Sequence, residues 1–124
     1  MKELLALVIE DDHKLSTIFA EALRVAGFET EIVQDGHKAL ERLAATVPVL
    51  VILDLHLPGV SGKDILEKIR ADARLADTRI MLATADPQLA DSLRDEADLI
   101  LIKPISFSQM RDLAIRLRPP DVVN

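Results

Sequence analysis

The chain has 124 residues, a length typical of one domain, and 49% of them are apolar, which excludes a disordered chain. Its net charge of −6 argues against a nucleic-acid-binding surface, because such a surface is basic. Without cysteine there are no disulfides or thiolate sites, and three scattered histidines do not form a zinc site. No apolar run approaches the length of a membrane span. We therefore expect a cytoplasmic protein with no direct nucleic-acid partner and no membrane partner.

Short apolar runs, typical of buried strands, alternate along the chain with segments of helical spacing. The apolar runs are 4–9, 49–53, 80–83 and 99–102, and a half-polar run at 30–33 adds a fifth strand. The helical stripes are 15–23, 39–43, 65–69 and 110–117, with a weaker, acidic one at 86–97. The segment at 86–97 is expected to be a short, mobile helix. The order is therefore strand and helix, repeated five times.

Residues that begin and end helices agree with this division. Asp12 directly precedes the first stripe and is expected to be its N-cap rather than a third acid of a site. Gly27 follows that stripe, where a left-handed cap is common. The second helix opens near Asp35-Gly36, and Pro119-Pro120 ends the last one. The pattern predicts an α/β fold with a doubly wound five-stranded parallel sheet, order 2-1-3-4-5, a flavodoxin-like (βα)5 arrangement with the half-polar strand at an edge.

Polar side chains follow four of the predicted strands. Glu10 and Asp11 end the first, Asp54 the third, Thr84 the fourth and Lys103 the fifth. The carboxyl ends of parallel strands lie along one edge of the sheet, where open α/β sheets bind ligands. In the predicted order the first and third strands are adjacent, so their carboxylates become neighbours.

Carboxylates held this close repel one another unless they take up a proton or share a hard divalent cation. Mg2+ suits the second case, because it uses few carboxylates and keeps coordination positions for a phosphate oxygen. Lys103 and Thr84 offer donors to a phosphoryl group. These are the parts required for phosphoryl transfer onto a carboxylate.

The chain resembles the receiver domain of two-component response regulators, of the chemotaxis-regulator (CheY-like) type, over residues 4–118. The residues that carry the resemblance are Val8-Ile9-Glu10-Asp11-Asp12, Leu53-Asp54-Leu55-His56-Leu57-Pro58-Gly59-Val60-Ser61-Gly62, Met81-Leu82-Ala83-Thr84-Ala85 and Ile102-Lys103-Pro104. Each motif alone is weak, whereas four in this order are specific.

The resemblance implies a role for each of these residues. Asp54 would accept a phosphoryl group from a phosphohistidine of a sensor histidine kinase or a histidine phosphotransfer protein. Glu10, Asp11, Asp54 and the backbone carbonyl of His56 would hold Mg2+. Thr84 and Lys103 would bind the phosphoryl group. The resemblance also implies a cis peptide between Lys103 and Pro104.

Three residues beside the site are expected to modulate it. His56 and Asp86 together are predicted to set the lifetime of phosphorylated Asp54, by screening or orienting the attacking water. Ala85 is small and follows Thr84, so it would leave the site open to a partner.

The chain departs from the family's pattern where the family relays its signal. Ile100 stands where an aromatic residue is common, Ile105 replaces a common phenylalanine, and Glu96-Ala97-Asp98 replaces a common Gly-Ala-Asp turn. The switch region around Ile100 and Pro104 therefore lacks the usual aromatic side chain. We expect the signal to travel by repositioning the weak helix at 86–97.

The expected function is a single-domain response regulator that relays a phosphorylation signal to an unknown downstream protein, with 1–118 as the receiver and 119–124 as a tail or truncated linker. One alternative is a receiver module of a hybrid histidine kinase or a multidomain regulator, and another is a pseudo-receiver that docks without phosphorylation. A hydrolase with an aspartyl-phosphate intermediate is disfavoured, because His56 stands where such enzymes need a second carboxylate. The sequence leaves a homodimer open.

Overall fold

The protein, a computed structural model, is described over residues 4–120, so residues 121–124 of the predicted tail lie outside the described part. In chain order the elements are β1 Leu5–Ile9, α1 His13–Val25, β2 Glu29–Val33, α2 Gly36–Ala45, β3 Leu50–Asp54, α3 Gly62–Ala71, β4 Arg79–Thr84, α4 Pro87–Ser92, β5 Leu99–Ile102 and α5 Phe107–Leu117. Short 3-10 turns follow α3 at Ala73–Leu75 and α4 at Arg94–Glu96.

The five strands form one parallel sheet in the order β2-β1-β3-β4-β5, which confirms the predicted fold. Because side chains alternate along a strand, neighbouring residues of β3 enter different cores. Ile52 packs with Phe19 of α1 and Met110 of α5 on one face. Val51 packs with Ile65 and other residues of α2 and α3 on the opposite face. The half-polar β2 lies at a sheet edge, as its composition predicts.

Side-chain caps begin the helices at the predicted places. The Asp12 carboxylate accepts the Leu15 N–H at 2.9 Å, so Asp12 is the N-cap of α1, and Asp35 caps α2 in the same way. Gly27 follows α1 with φ +101°, the left-handed conformation predicted for it. Within residues 4–120, none of the helices has the length and apolar character that crossing a membrane requires.

The helix predicted over 86–97 is shorter in the structure. It ends at Ser92, and a 3-10 turn at Arg94–Glu96 follows. The Leu93 N–H donates to the Ala90 carbonyl at 3.1 Å, an i to i−3 contact that tightens the last turn. Leu93 is buried, and the Asp98 N–H already donates to the Ile80 carbonyl to open β5. The chain must therefore leave the helix early to reach the sheet.

Candidate functional site at the carboxyl edge of the sheet

Three carboxylates meet at the carboxyl ends of β1 and β3. The two strands pair directly, with Ile9 opposite Leu53, so the residues that follow them are adjacent. Carboxylate oxygens of Glu10, Asp11 and Asp54 lie within 4.8 Å of one another. Glu10 is 1% exposed and Asp54 is 4% exposed, whereas Asp11 faces solvent. The structure thus brings together the acids that the strand order predicts as neighbours.

Lys103 enters this cluster from the end of β5. Its backbone N–H donates to the Thr84 carbonyl at 2.8 Å, and its peptide bond to Pro104 is cis, as predicted. Its Nζ lies 2.8 Å from Glu10 Oε1 and 3.7 Å from Asp54 Oδ1. The direct ion pair with Glu10 was not predicted, because the resemblance implied Mg2+ as the partner of Glu10 and a phosphoryl group as the partner of Lys103.

The carboxyl group of Glu10 has a perturbed acidity. Burial raises its pKa, the hydrogen bond from Lys103 lowers it, and the nearby Asp54 charge raises it further, for a value of about 7. The Asp12 N–H donates to Glu10 Oε2 at 3.2 Å and favours the ionised form. At neutral pH Glu10 is therefore close to its midpoint of ionisation.

Asp54 is held by the loop that connects β3 to α3. The His56 N–H donates to Asp54 Oδ1 at 3.1 Å. The Gly62 N–H donates to the Leu55 carbonyl at 3.2 Å and brings the start of α3 against the end of β3. A Cβ atom at Gly62 would lie 2.2 Å from the Asp54 carbonyl oxygen, so this approach requires glycine.

Thr84 ends β4, the neighbour of β3 in the sheet, and Asp86 follows it. Thr84 is fully buried, and its Oγ1 accepts the Asp86 N–H at 3.1 Å. Asp86 is also the N-cap of α4, because its carboxylate accepts the Leu89 N–H at 3.0 Å. This capping role was not predicted, although an aspartate directly before Pro87 is a recognisable helix start. Ala85, between Thr84 and Asp86, is exposed.

The side chains of His56 and Asp86 face each other at the surface. His56 Nε2 lies 3.9 Å from Asp86 Oδ2, and the His56 side chain is 63% exposed. The structure thus places the two predicted modulating residues together. Their effect on a phosphoryl group stays a prediction.

The two residues predicted as the switch region differ in exposure. Ile100 is partly buried and packs against the core that β3 shares with α2 and α3. With Pro87, Ala90 and Ile102 it also borders a surface cavity of about 490 Å³. Pro104 is exposed. The aliphatic side chain of Ile100 therefore contacts the core and lies next to α4.

The oxygen donors fit a hard divalent cation. Three carboxylates converge, two of them buried, and the raised pKa of Glu10 is the effect expected of burial beside a like charge. A cation of the Mg2+ type relieves that repulsion through oxygen ligands. Lys103 adds a positive charge beside the same carboxylates.

The fold and this edge of the sheet define a flavodoxin-like α/β domain with an acidic site. The chain belongs to the response regulator receiver domain family, whose family model matches residues 6–115.

Similar proteins agree with this assignment. The DNA-binding response regulator MtrA of Mycobacterium tuberculosis is 33% identical over 112 residues, which are 90% of this chain and 48% of MtrA. The chain thus spans about half the length of the curated relatives it matches. The response regulator protein TrrA of Thermotoga maritima, solved in complex with Mg(2+)-BeF, has a TM-score of 0.82 at 28% identity, covering 93% of this chain and 99% of TrrA. The chemotaxis response regulator CheY4 of Vibrio cholerae has a TM-score of 0.85 at 21% identity, covering 94% of this chain and 100% of CheY4. The similarity to CheY4 supports the fold alone.

The prediction that the protein has no nucleic-acid partner is wrong. It was drawn from the net charge of −6, yet curated relatives such as MtrA are DNA-binding response regulators. The charge of a receiver segment describes only that segment. In these relatives about half of the chain lies outside the matched region, so the acidity of the matched part does not report on nucleic-acid binding.

Proposed function

We propose that this chain is the phosphoacceptor of a two-component system. It takes a phosphoryl group from a phosphohistidine of a sensor histidine kinase or a histidine phosphotransfer protein onto Asp54. The observation that carries the proposal is the position of the Asp54 carboxylate. It is 4% exposed, lies in a cluster with two further acids, and has the Lys103 ammonium 3.7 Å away.

In the transfer, a carboxylate oxygen of Asp54 attacks the phosphorus atom of the donor. The P–N bond breaks, its electron pair returns to the imidazole nitrogen, and an acyl phosphate forms on Asp54. The buried Thr84 hydroxyl and the Lys103 ammonium then donate to the phosphoryl oxygens. Positioning and charge stabilisation supply most of the catalysis in such transfers, so no further catalytic base is required.

Mg2+ is the proposed cofactor. Glu10, Asp11, Asp54 and the backbone carbonyl of His56 would hold it, and it would supply positive charge that lets the phosphoryl oxygens approach the carboxylates. The convergence of three carboxylates within 4.8 Å supports this donor set.

The phosphorylated form would signal by conformational change to a downstream protein. The chain would catalyse only its own phosphorylation and dephosphorylation, in the cytoplasm, where the kinase domain supplies the donor. The site of output is proposed to include α4 and the neighbouring Ile100, which border the same surface cavity.

Intact mass spectrometry tests the proposal. The protein is incubated with Mg2+ and acetyl phosphate, and Asp54→Ala serves as the matched control. A single phosphoryl adduct on the wild type, absent from Asp54→Ala and lost when EDTA is included, is the expected result. A folded wild-type protein that binds Mg2+ but acquires no adduct from acetyl phosphate or from a phosphorylated kinase would overturn the proposal. The remaining candidate would then be a docking module that works without phosphorylation.

The relation of this chain to a longer protein is a separate question. From the sequence we expected a single-domain regulator, with the receiver over 1–118 and a tail or truncated linker over 119–124. The chain matches 48% of the length of MtrA, and the alternative is a receiver module of a hybrid histidine kinase or of a multidomain regulator. The mass of the endogenous polypeptide, detected with an antibody against this domain, distinguishes the two.

A further inference from the structure

The first turn of α2 contacts the loop between β3 and α3, which is residues 55–61. The Gly36 N–H donates to the Pro58 carbonyl at 3.1 Å. A Cβ atom at Gly36 would lie 2.2 Å from the Val60 carbonyl oxygen. The two backbones are therefore packed against each other without an intervening side chain.

One side chain of α2 extends this contact. The imidazole of His37 lies over Gly59, such that a Cβ atom at Gly59 would be 2.9 Å from Cδ2 and 3.5 Å from Nε2 of the ring. Gly59 has φ +84°, a conformation that side-chain-bearing residues rarely adopt. Glycine at this position thus serves the turn, and the ring of the exposed His37 lies close above it.

This contact bears on the site through the short loop that it covers. At one end of the loop the Gly62 N–H donates a hydrogen bond to the Leu55 carbonyl. Three residues later the Pro58 carbonyl accepts a hydrogen bond from the Gly36 N–H. His56 lies between these anchors, and its N–H donates to the Asp54 carboxylate. The Pro58-Gly59 turn is therefore connected through Leu57 alone to His56, whose N–H binds the Asp54 carboxylate.

We propose that His37 is a positioning residue for the phosphoacceptor site. Its ring packs on Gly59, limits the movement of the loop and keeps the His56 carbonyl and the Asp54 carboxylate in the geometry that a cation requires. The inference rests on the proposed function, because the cation and the phosphoryl transfer are its readouts. His37 contacts the loop, not the reacting atoms, so it acts through His56.

The test compares the Mg2+ affinity of four proteins by NMR titration: wild type, His37→Ala, His37→Phe and Lys38→Ala. His37→Ala is expected to raise the Kd, by less than the roughly tenfold effect of removing a group bonded directly to a metal ligand, because His37 acts through the loop. His37→Phe keeps a planar ring over Gly59 and is expected to restore wild-type affinity. Lys38 is the next residue in the same helix turn and is exposed. Lys38→Ala is therefore expected to change the Kd less than twofold. The rate of phosphorylation at Mg2+ concentrations below the Kd should follow the same order.

Gly59→Ala supplies an independent test, because its added Cβ meets the ring. In the wild-type background this variant is expected to weaken Mg2+ binding more than in the His37→Ala background, where the ring is gone. Additive effects would show that the two residues do not act together and would overturn the inference.

The outcomes separate the inference from the function on which it rests. Wild-type affinity in His37→Ala, with the wild type binding Mg2+ and becoming phosphorylated, overturns the role of His37 alone. A wild type that neither binds Mg2+ nor accepts a phosphoryl group overturns the proposed function. A loss of affinity in His37→Ala with an equal loss in His37→Phe assigns the effect to the imidazole nitrogens, against the packing role stated here.

Discussion

The ammonium of Lys103 forms its shorter contact with Glu10, at 2.8 Å, and lies 3.7 Å from Asp54. Glu10 follows β1 and Lys103 follows β5, two strands that are separated in the sheet by β3 and β4. The lysine therefore reaches across the ends of two strands to a buried carboxylate. A cation or a phosphoryl group that enters this site competes for groups that already interact, so its binding is linked to the state of this ion pair.

The first prediction is that Mg2+ binding depends on pH through Glu10. Its pKa of about 7 means that the cation must displace a proton on the acidic side of neutrality. Lowering the pH from about 8 to about 6 is expected to weaken apparent Mg2+ affinity by about tenfold. Calorimetric titrations at several pH values measure this change. Glu10→Gln should bind Mg2+ more weakly at every pH and lose this pH dependence; an equally steep dependence in the variant would assign the proton to another group.

The second prediction concerns the pH dependence of stability. Because the folded pKa of Glu10 is about 7 against a usual value of 4.5, the folded state binds more protons between these pH values. The contribution of Glu10 to the free energy of unfolding is therefore largest below about pH 4.5 and falls as the pH rises through 7. Urea titrations without Mg2+ measure the free energy of unfolding of the wild type and of Glu10→Gln. As the pH increases, the free energy of unfolding of the variant should rise relative to that of the wild type. Glu67→Gln, on the exposed face of α3, is the control for the same substitution away from the site.

The third prediction concerns the opposite end of the sheet, where Asp98 joins β4, β5 and α3. Its carboxylate accepts the Ile80 N–H at 2.7 Å, Arg70 Nη2 at 3.0 Å and Arg79 Nη1 at 3.1 Å. Although burial acts to raise the pKa of Asp98, these bonds hold it below its usual value. Asp98→Asn should reduce the free energy of unfolding by about 1–3 kcal/mol at neutral pH, with phosphorylation retained. In the wild type this stabilisation declines as the pH falls below the usual aspartate value of 3.8 and is lost once the pH is below the lowered pKa of folded Asp98. Asp95→Asn, an exposed acid of the adjoining turn, is the control and should unfold like the wild type.

The fourth prediction assigns the lifetime of the phosphorylated state to His56 and Asp86. Asp86→Asn keeps an oxygen that can cap α4 but removes the charge that faces His56 at 3.9 Å. It should change the rate of dephosphorylation, and His56→Asn should change it in the same direction, since each breaks the same pair. Loss of the radiolabelled phosphoryl group with time measures both rates. Asp86→Ala would also remove the cap, so the asparagine variant separates the two roles; unchanged hydrolysis in both asparagine variants would exclude the idea.

The fifth prediction is that α4 carries the conformational response. The helix has six residues, and a 3-10 turn directly follows it, so its hydrogen bonds are few. Beryllofluoride with Mg2+, as a phosphoryl mimic, is expected to change amide exchange across residues 87–96. Residues of α2 far from the loop, such as Arg42, serve as the internal reference. Identical protection of 87–96 with and without the mimic would exclude α4 as the responding element.

Much of the fold could be predicted because it is encoded locally. The uninterrupted apolar run that ends at Asp54 indicates a central strand buried on both faces, and β3 is such a strand. The polar residues of β2 indicate an edge, which the strand order confirms. Once β1 and β3 are adjacent, parallel pairing places Glu10 and Asp11 beside Asp54 without further information.

The sequence by itself therefore determined the strands, their order and the acids that meet at one edge, because hydrophobic periodicity and parallel connections constrain them. Only the tertiary structure decided that Lys103 bonds Glu10, that His37 covers Gly59, and that α4 ends at Ser92. These features depend on side-chain rotamers and on distances of a few ångströms between residues that are remote in the chain. A local pattern of residue types does not predict such distances, because they arise only when the strands and helices pack together.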